Sequence, residues 1–266
     1  MTAKECYHAG QLTEALSATA TQIKSRPTDI AARTFFTELL CFAGELTRAD
    51  AQLDALATQD AKAAVPIALF RQLIRAATSR EQFFAEGRLP EFLDKPSEGM
   101  QLRLEASIRS REGAPADAAT LLAQAEELRV PCALSLNGGK IDDFRDLDDL
   151  TSSFLEVLTT NGKYYWIPID RVELLELHPP EHPRDLLWRP AHLIVRDGPD
   201  GEVYLPVLYA GTQRMNDDRL RLGRATEWTG DGSENGPVRG VGQRTFLAGE
   251  GAVAILEIKE LRSATA

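Results

Sequence analysis

The spacing of the apolar residues changes within the stretch DFRDLDDLTSSFLEVLTTNGKYYWIPIDRVELLELHPPEHPRDLLWRP, residues 143–190. Before this stretch the apolar residues recur mostly at the helical period, and after it they come in short alternating runs. Inside it, apolar residues three or four positions apart are Leu147, Leu150, Phe154 and Leu158. Gly162 follows as a left-handed stop. This pattern predicts one amphipathic helix at about 147–160.

Upstream of this stretch, a short fragment returns at a fixed interval. Residues 9–15 read AGQLTEA and residues 43–49 read AGELTRA, so Gly10 and Gly44 are 34 positions apart, the tetratricopeptide period. A helix-turn-helix unit cannot bury both of its apolar stripes alone, so neighbouring units must stack. We therefore predict a tetratricopeptide-like helical repeat domain over residues 1–131. Its helices are expected near 11–25, 29–43, 46–58, 62–77, 98–112 and 115–128.

Downstream, the repeat period is lost after Pro131, and residues 133–140 are interpreted as a linker with turn chemistry. Pro206 is expected to place its strand at a sheet edge or at a bulge. The predicted strands are 164–167, 172–177, a hairpin within 193–207, and 252–258. The fold class is therefore α+β, with the repeat stack followed by a small, largely antiparallel α+β domain over residues 132–266.

Composition narrows the classes of partner. The formal net charge is −10, which argues against a sequence-independent grip on nucleic acid because that grip needs clustered Lys and Arg. The N-terminus has no basic region followed by an apolar core, and no apolar run reaches the length of a membrane span. We expect a cytoplasmic protein with no membrane partner. The three widely spaced cysteines, Cys6, Cys41 and Cys132, suit reduced thiols.

Partner binding is expected on the helical stack. Such stacks usually present a concave face to a peptide or a helix. In the tetratricopeptide register, the side chains that point toward this face are Thr34, Glu38, Gln72, Arg75 and Arg109. Trp188 stands between charged residues and proline, so it is a candidate rim residue of an interface. Ordinary solvated positions are the alternative interpretation of the five helical residues.

The candidates for chemistry are explained by simpler roles. No start position in the acidic cluster gives the order of an EF-hand, and helix capping and solvated charge account for its members, Asp142, Asp143, Asp146, Asp148 and Asp149. His178 and His182 have the spacing of two helical metal ligands, but the prolines between and after them forbid a helix. We predict no catalytic residue, no metal site and no cofactor.

Several blocks together resemble the ImpE/SciE family, also called TagJ, of accessory proteins of bacterial type VI secretion systems. The blocks that carry the resemblance are 9–15, 33–46, 143–149, 162–168, 184–190, 205–209 and 239–244. The resemblance implies a non-enzymatic cytoplasmic protein that binds the small subunit of the contractile sheath through that subunit's N-terminal helix. It also implies a role in sheath assembly or in recycling by the sheath-disassembling ATPase, an indirect partner.

Two other functions stay open at this point. The first is a general peptide-binding repeat protein outside secretion. The second is a metal-dependent hydrolase in the C-terminal half that uses Asp146, Asp148, Asp149 and His178. Carboxylates that converge with a histidine in one deep pocket would favour the hydrolase, and divergent side chains would favour the adaptor.

Overall fold

The computed structural model describes residues 1–59, 63–230 and 236–264 of the 266-residue chain. Seven helices occupy its first half within these ranges. They are α1 (Ala3–His8), α2 (Leu12–Ser25), α3 (Ile30–Phe42), α4 (Leu46–Gln59), α5 (Ala64–Glu86), α6 (Glu98–Arg111) and α7 (Pro115–Glu127). The six predicted helices are all present, and α1 is an additional one. None of the described helices combines the length and hydropathy of a bilayer-spanning segment.

The repeat period explains where most helical hairpins turn. Gly10, Gly44 and Gly113 have φ values of 83°, 74° and 76°, in the left-handed region that ends a helix at low cost when the residue is glycine. In the third unit, Thr78 stands where the period would place the next glycine. Helix α5 therefore continues past the predicted end at 77 and stops only before Gly87, whose φ is 83°.

The second half is built from thirteen strands in the described residues, and every pairing between named strands is antiparallel. The strands are β1 (Leu134–Leu136), β2 (Gly139–Ile141), β3 (Phe144–Asp146), β4 (Phe154–Thr159), β5 (Tyr164–Pro168), β6 (Val172–Leu177), β7 (Trp188–Val195), β8 (Asp200–Pro206), β9 (Thr226–Thr229), β10 (Arg239–Gly242), β11 (Thr245–Ala248), β12 (Gly251–Ala254) and β13 (Glu260–Ser263). One short helix, α8 (Asp218–Arg221), precedes β9.

Eight strands form one large sheet in the order β2-β1-β13-β6-β7-β8-β4-β5. A three-stranded sheet, β12-β11-β3, and a two-stranded sheet, β10-β9, stand beside it. The predicted strands at 164–167 and 172–177 are confirmed as β5 and β6, and the predicted hairpin is confirmed as β7 and β8. The architecture is therefore α+β, a helical region followed by antiparallel sheets, as the sequence predicts.

The predicted helix at 147–160 is wrong. Residues 147–153 turn between β3 and β4 because two aspartates bind backbone N–H groups of the turn itself. The Asp146 carboxylate accepts from the amide of Asp148 at 2.9 Å, and Asp148 accepts from the amide of Leu150 at 3.0 Å. All residues from Phe154 to Leu158 are buried, so the apolar run is a strand covered on both faces.

The predicted linker at 133–140 is also wrong, because these residues lie in the hairpin of β1 and β2. Asn137 and Gly138 have φ values of 50° and 85°, which suit a tight two-residue turn. The Asn137 side chain also accepts from the amides of Lys259 and Glu260, at 2.7 and 3.0 Å. This hairpin thus forms one edge of the large sheet.

Two details of the remaining strands differ from expectation. Strand β8 lies between β7 and β4 rather than at a sheet edge. The fold tolerates Pro206 there because it is the last residue of β8, and the pairing of β8 with β4 involves only Val203 and Tyr204. The predicted strand at 252–258 ends at Ala254 as β12 and gives way to a 3-10 turn at Ile255–Glu257. The Glu257 carboxylate closes this turn by accepting from the amide of Ala254 at 3.1 Å.

The helices and the large sheet share one hydrophobic core. Trp188 of β7 meets the Phe70 ring of α5 edge-on, with ring centroids 6.1 Å apart. Trp166 of β5 stacks on Phe154 at 3.9 Å and meets Phe83 of α5 at 4.9 Å. The division into domains at 131/132 stays a prediction, since helical and β side chains pack together across it.

We expect Trp188→Ala to reduce the free energy of unfolding by about 3–5 kcal/mol, because it empties a site in this shared core. The matched variant is Trp228→Ala, whose parent side chain is 38% exposed against 4% for Trp188. We expect it to cost no more than about 1 kcal/mol. Urea unfolding followed by circular dichroism measures both. Equal losses would contradict the buried contact between α5 and β7.

Candidate functional site

The acidic block at 143–149 is held by arginines and backbone amides. Asp146 is fully buried and accepts from Arg244 Nη1 at 2.8 Å and from the Tyr209 hydroxyl at 2.7 Å. Asp148 is 1% exposed and accepts from Arg239 Nε at 2.8 and 2.9 Å and from the Gly240 amide at 3.0 Å. The interpretation of these two aspartates as helix caps and solvated charges is therefore wrong.

The outer members of the block are engaged in the same way. Asp143 binds both Nη groups of Arg129, at 2.7 and 2.6 Å, and accepts from the Cys132 amide. The Asp149 carboxylate accepts from the amide of Val238 at 2.7 Å. The block thus ties the end of the helical region and the small sheets together.

Glu156 is the centre of the network, and sequence analysis missed it. Arg80 of α5 binds both carboxylate oxygens of Glu156, at 2.8 and 2.7 Å, and Arg244 binds the same carboxylate. Arg244 therefore bridges Asp146 and Glu156. A glutamate inside the apolar run FLEVL was the available signal, because such a residue must find a charged partner once the strand is buried.

The two carboxylates that share Arg244 differ in pKa. Burial raises the pKa of Asp146 to about 6, against the opposing effect of Arg244. Burial would also raise the pKa of Glu156, but Arg80 and Arg244 outweigh it and hold that pKa at about 2. Glu156 therefore stays ionised throughout the physiological range, and both arginines bind a permanent charge.

One side of this network opens into a polar cleft of about 220 Å³, which we call the arginine cleft. Its charged lining residues are Arg80, Glu81, Arg214 and Arg239. Two of the guanidinium groups lie over the Phe84 ring, with Arg80 at 5.6 Å and Arg239 at 5.7 Å from the ring centroid. The motif at 239–244 therefore supplies both a buried bridge and a wall of an open cleft.

A second, larger cleft lies between α6, the end of α7 and the turn after β5, and we call it the apolar cleft. Its volume is about 330 Å³, and its apolar lining includes Met100, Leu128, Val130, Phe144 and Ile169. A neighbouring hollow of about 220 Å³ shares Met100 with it and adds side chains such as Phe92 and Trp166. Leu128 and Val130 stand at the surface, 48% and 76% exposed.

The six predicted partner-binding residues do not form one surface. Glu38 and Trp188 are 3% and 4% exposed and lie where the sheet half covers the helices. The motif at 184–190 makes this cover: Arg184 lies over the Phe70 ring at 5.1 Å. The groove expected between the helical hairpins is therefore occupied, in part, by the chain's own second half.

The other four predicted residues are more accessible but are spread out. Thr34 is half-buried and donates its hydroxyl proton to the carbonyl of Ile30. Gln72 and the exposed Arg75 border the turn at Gly162. Arg109, on α6, pairs with Glu105 and Glu112 at 3.3 and 3.1 Å, and its side chain is 42% exposed.

The residues of the hydrolase alternative do not converge. The three aspartates bind arginines or backbone amides, whereas His178 Nε2 lies 2.9 Å from Glu202 on the surface of β8. His182 is exposed, and its amide donates to Asp185. Within the described ranges, no group of three or more His, Cys, Asp or Glu side chains is arranged to hold a metal ion.

Glu38 offers a test of how firmly the two halves close on each other. Burial raises the pKa of Glu38 from 4.5 to about 7, and the nearby Arg184 only partly opposes this. The protonated form then stabilises the fold, fully below about pH 4.5 and progressively less as the pH rises through about 7. Between pH 5.5 and 8.5 we expect wild type to lose about 2 kcal/mol of unfolding free energy relative to Glu38→Gln.

Urea unfolding of both proteins across this pH range measures the difference, and effects of other titrating groups cancel in the comparison. A wild-type-minus-variant difference that does not change with pH would mean that Glu38 titrates as a solvated carboxyl. The contact between α3 and the 184–190 motif would then be open in solution.

We also expect Glu156→Gln to cost about 3–5 kcal/mol of unfolding free energy, because it leaves the buried Arg244 and the half-buried Arg80 without a full countercharge. Glu202→Gln is the matched control, since its side chain is 57% exposed and its loss should stay within about 1 kcal/mol. Urea unfolding at pH 7 measures both. A neutral Glu156→Gln would show that the bridge contributes nothing to the fold.

Comparison with known proteins agrees with this architecture. Residues 138–262 match the model of the ImpE protein family. Over 261 residues the chain is 32% identical to the type VI secretion system accessory component TagJ of Pseudomonas aeruginosa, covering 98% of this chain and 90% of that protein. The crystal structure of protein VPA1032 from Vibrio parahaemolyticus has the same fold, with a TM-score of 0.91, 28% identity, and 98% and 96% of the two chains covered. The chain therefore belongs to the ImpE family of type VI secretion system accessory components.

Proposed function

We propose that this chain is a cytoplasmic, non-enzymatic adaptor that binds the small subunit of the contractile sheath through that subunit's N-terminal helix. Membership of the ImpE family supports a role in type VI secretion. In this role the adaptor assists assembly of the sheath or its recycling, with the sheath-disassembling ATPase as an indirect partner.

The single observation that carries the proposal is the apolar cleft. Recognition of an amphipathic helix requires a groove that accepts apolar side chains three and four positions apart. The cleft and its neighbouring hollow lie side by side and share lining residues such as Met100 and Pro168. Leu128 and Val130 stand at the rim of the cleft, where burial by a partner would remove apolar surface from water.

The polar helical surface is the competing location for the same partner. It consists of Thr34, Gln72, Arg75 and Arg109, which stay at least partly exposed. We favour the apolar cleft because these four side chains offer no apolar anchor and only Gln72 and Arg75 are neighbours. Hot spots of interfaces are usually packed, desolvated anchors surrounded by near-neutral contacts.

The proposal is tested by a pull-down of the small sheath subunit, with and without its first helix, on immobilised chain. We expect binding to the intact subunit and loss of binding when the helix is removed. A double variant, Leu128→Glu with Val130→Glu, should weaken binding by about tenfold or more, because it places charge against the apolar face of the helix. Both parent side chains are exposed, so the fold should persist.

Val65→Glu is the matched control, since Val65 is 80% exposed and lies on α5, outside the cleft. It makes the same chemical change and should leave binding unaltered. A second double variant, Arg75→Ala with Arg109→Ala, tests the competing surface. Loss of binding in that variant alone would move the docking site there. If binding is unchanged when the sheath helix is removed, the proposed partner contact is contradicted and general peptide binding is favoured.

A further inference from the structure

The arginine cleft presents guanidinium groups that are already oriented. Arg80 uses Nε and Nη2 on Glu156, and Nη2 also reaches the carbonyl of Leu208 at 3.0 Å. Arg239 uses Nε on both oxygens of Asp148. Among the residues that the structure describes, Arg80 Nη1 and both Nη groups of Arg239 have no hydrogen-bond partner. The buried carboxylates therefore hold both guanidinium groups in place, and the remaining N–H groups are available to a ligand.

The third arginine of the cleft, Arg214, is not held by a buried carboxylate. Arg214 follows the turn at Gly211 and is exposed, and its guanidinium group makes no hydrogen bond or ion pair to any described residue. It lines the cleft together with Arg80 and Arg239. The two anchored guanidinium groups can bind an oxyanion at little entropic cost because their geometry is already set, and Arg214 adds a third guanidinium group.

The positive charge of Arg214 is not paired with a carboxylate of the buried network. Behind the cleft, the buried arginines and carboxylates of the network offset each other. That network includes Arg80 and Arg239, so the charges left among the described lining residues of the cleft are those of Arg214 and Glu81. Gln213 donates to the Glu81 carboxylate at 3.4 Å. Burial raises the pKa of Glu81, with Arg80 and Arg214 opposing, so its negative charge is already disfavoured there.

We propose that the arginine cleft binds the carboxylate of an aspartate or glutamate side chain from a protein partner. The cleft, at about 220 Å³, admits a side-chain carboxylate and is small for a nucleotide or a typical organic ligand. Planar carboxylates also match the paired N–H edges of arginine.

This site shares no lining residue with the apolar cleft, and it does not rest on the proposed sheath contact. It gives a role to the family-like motif at 239–244 that the ion-pair network alone does not give, because Arg239 faces both the buried Asp148 and the open cleft. A partner would contribute one exposed acidic side chain, and its binding would weaken as salt concentration rises.

The test is an NMR titration of the ¹⁵N-labelled full chain with the peptide acetyl-Gly-Glu-Gly-amide. The neutral peptide acetyl-Gly-Gln-Gly-amide and inorganic phosphate serve as comparison probes at matched ionic strength. We expect saturable shifts of amides in residues 210–214 and 239–241 with the acidic peptide, and none with the neutral one. Phosphate should bind more weakly than the acidic peptide.

Three variants make the test specific. Arg214→Ala should lower the affinity for the acidic peptide by about three- to tenfold, because it removes one charge-assisted contact and leaves the buried network intact. Glu81→Gln should raise the affinity for the acidic peptide, because the substitution removes a negative charge from the cleft. Arg26→Ala, an exposed arginine at the end of α2, is the control and should change nothing.

Several results would overturn the proposal. Equal shifts with the neutral peptide, or equal affinity in Arg214→Ala and wild type, would remove the carboxylate site. Tighter binding of phosphate than of the acidic peptide would assign the cleft to a different ligand. A decrease in affinity in Glu81→Gln would show that Glu81 supports the cleft rather than repelling its ligand.

Discussion

The structure depends on one buried guanidinium. Arg244, whose side chain is 3% exposed, lies between the carboxylates of Asp146 and Glu156, which belong to different sheets. Taking these charges out of water is costly, and the cost is recovered only when each group finds its partners in good geometry. Any arrangement of the sheets that separated the three residues would leave a buried charge without a partner. The network thus selects one relative position of the sheets, whatever its net contribution to stability.

Arg80 extends this constraint to the helices. It comes from the C-terminal half of α5 and reaches the same Glu156 carboxylate, so the longest described helix is attached to the sheet through an ion pair as well as through aromatic packing. The unusual length of α5 has a simple cause, since the third repeat lacks the glycine that ends its counterparts. Local turn chemistry and the buried network together determine how the helical region meets the sheets.

This packing redistributes the surfaces that a helical stack would ordinarily offer. Part of the expected groove is covered by the 184–190 motif and by Trp188, so a partner must use other surfaces. The two open clefts differ in chemistry. The apolar cleft offers area that a partner helix can bury, whereas the arginine cleft offers oriented charge. Interfaces commonly divide their work in this way, with apolar anchors supplying affinity and charged contacts supplying register and selectivity.

The helical hairpins and five of the thirteen described strands, β5 to β8 and part of β12, follow from local sequence patterns. A 34-residue period, turn glycines and an alternating hairpin are local signals, and each acts over a few residues. The sequence misled at 147–160, where apolar spacing suited a helix but the aspartate side chains formed turns and the following strand was buried on both faces. Apolar periodicity cannot distinguish these cases, because a strand covered on both sides has no polar face.

The partners of the charged residues and the positions of the two clefts depend on contacts between distant parts of the chain. Arg244 and Asp146 are 98 positions apart, and Arg80 and Glu156 are 76 apart. No period or spacing in the chain relates such residues. Their pairing follows from the fold as a whole, since charged groups enclosed by the same core must neutralise one another.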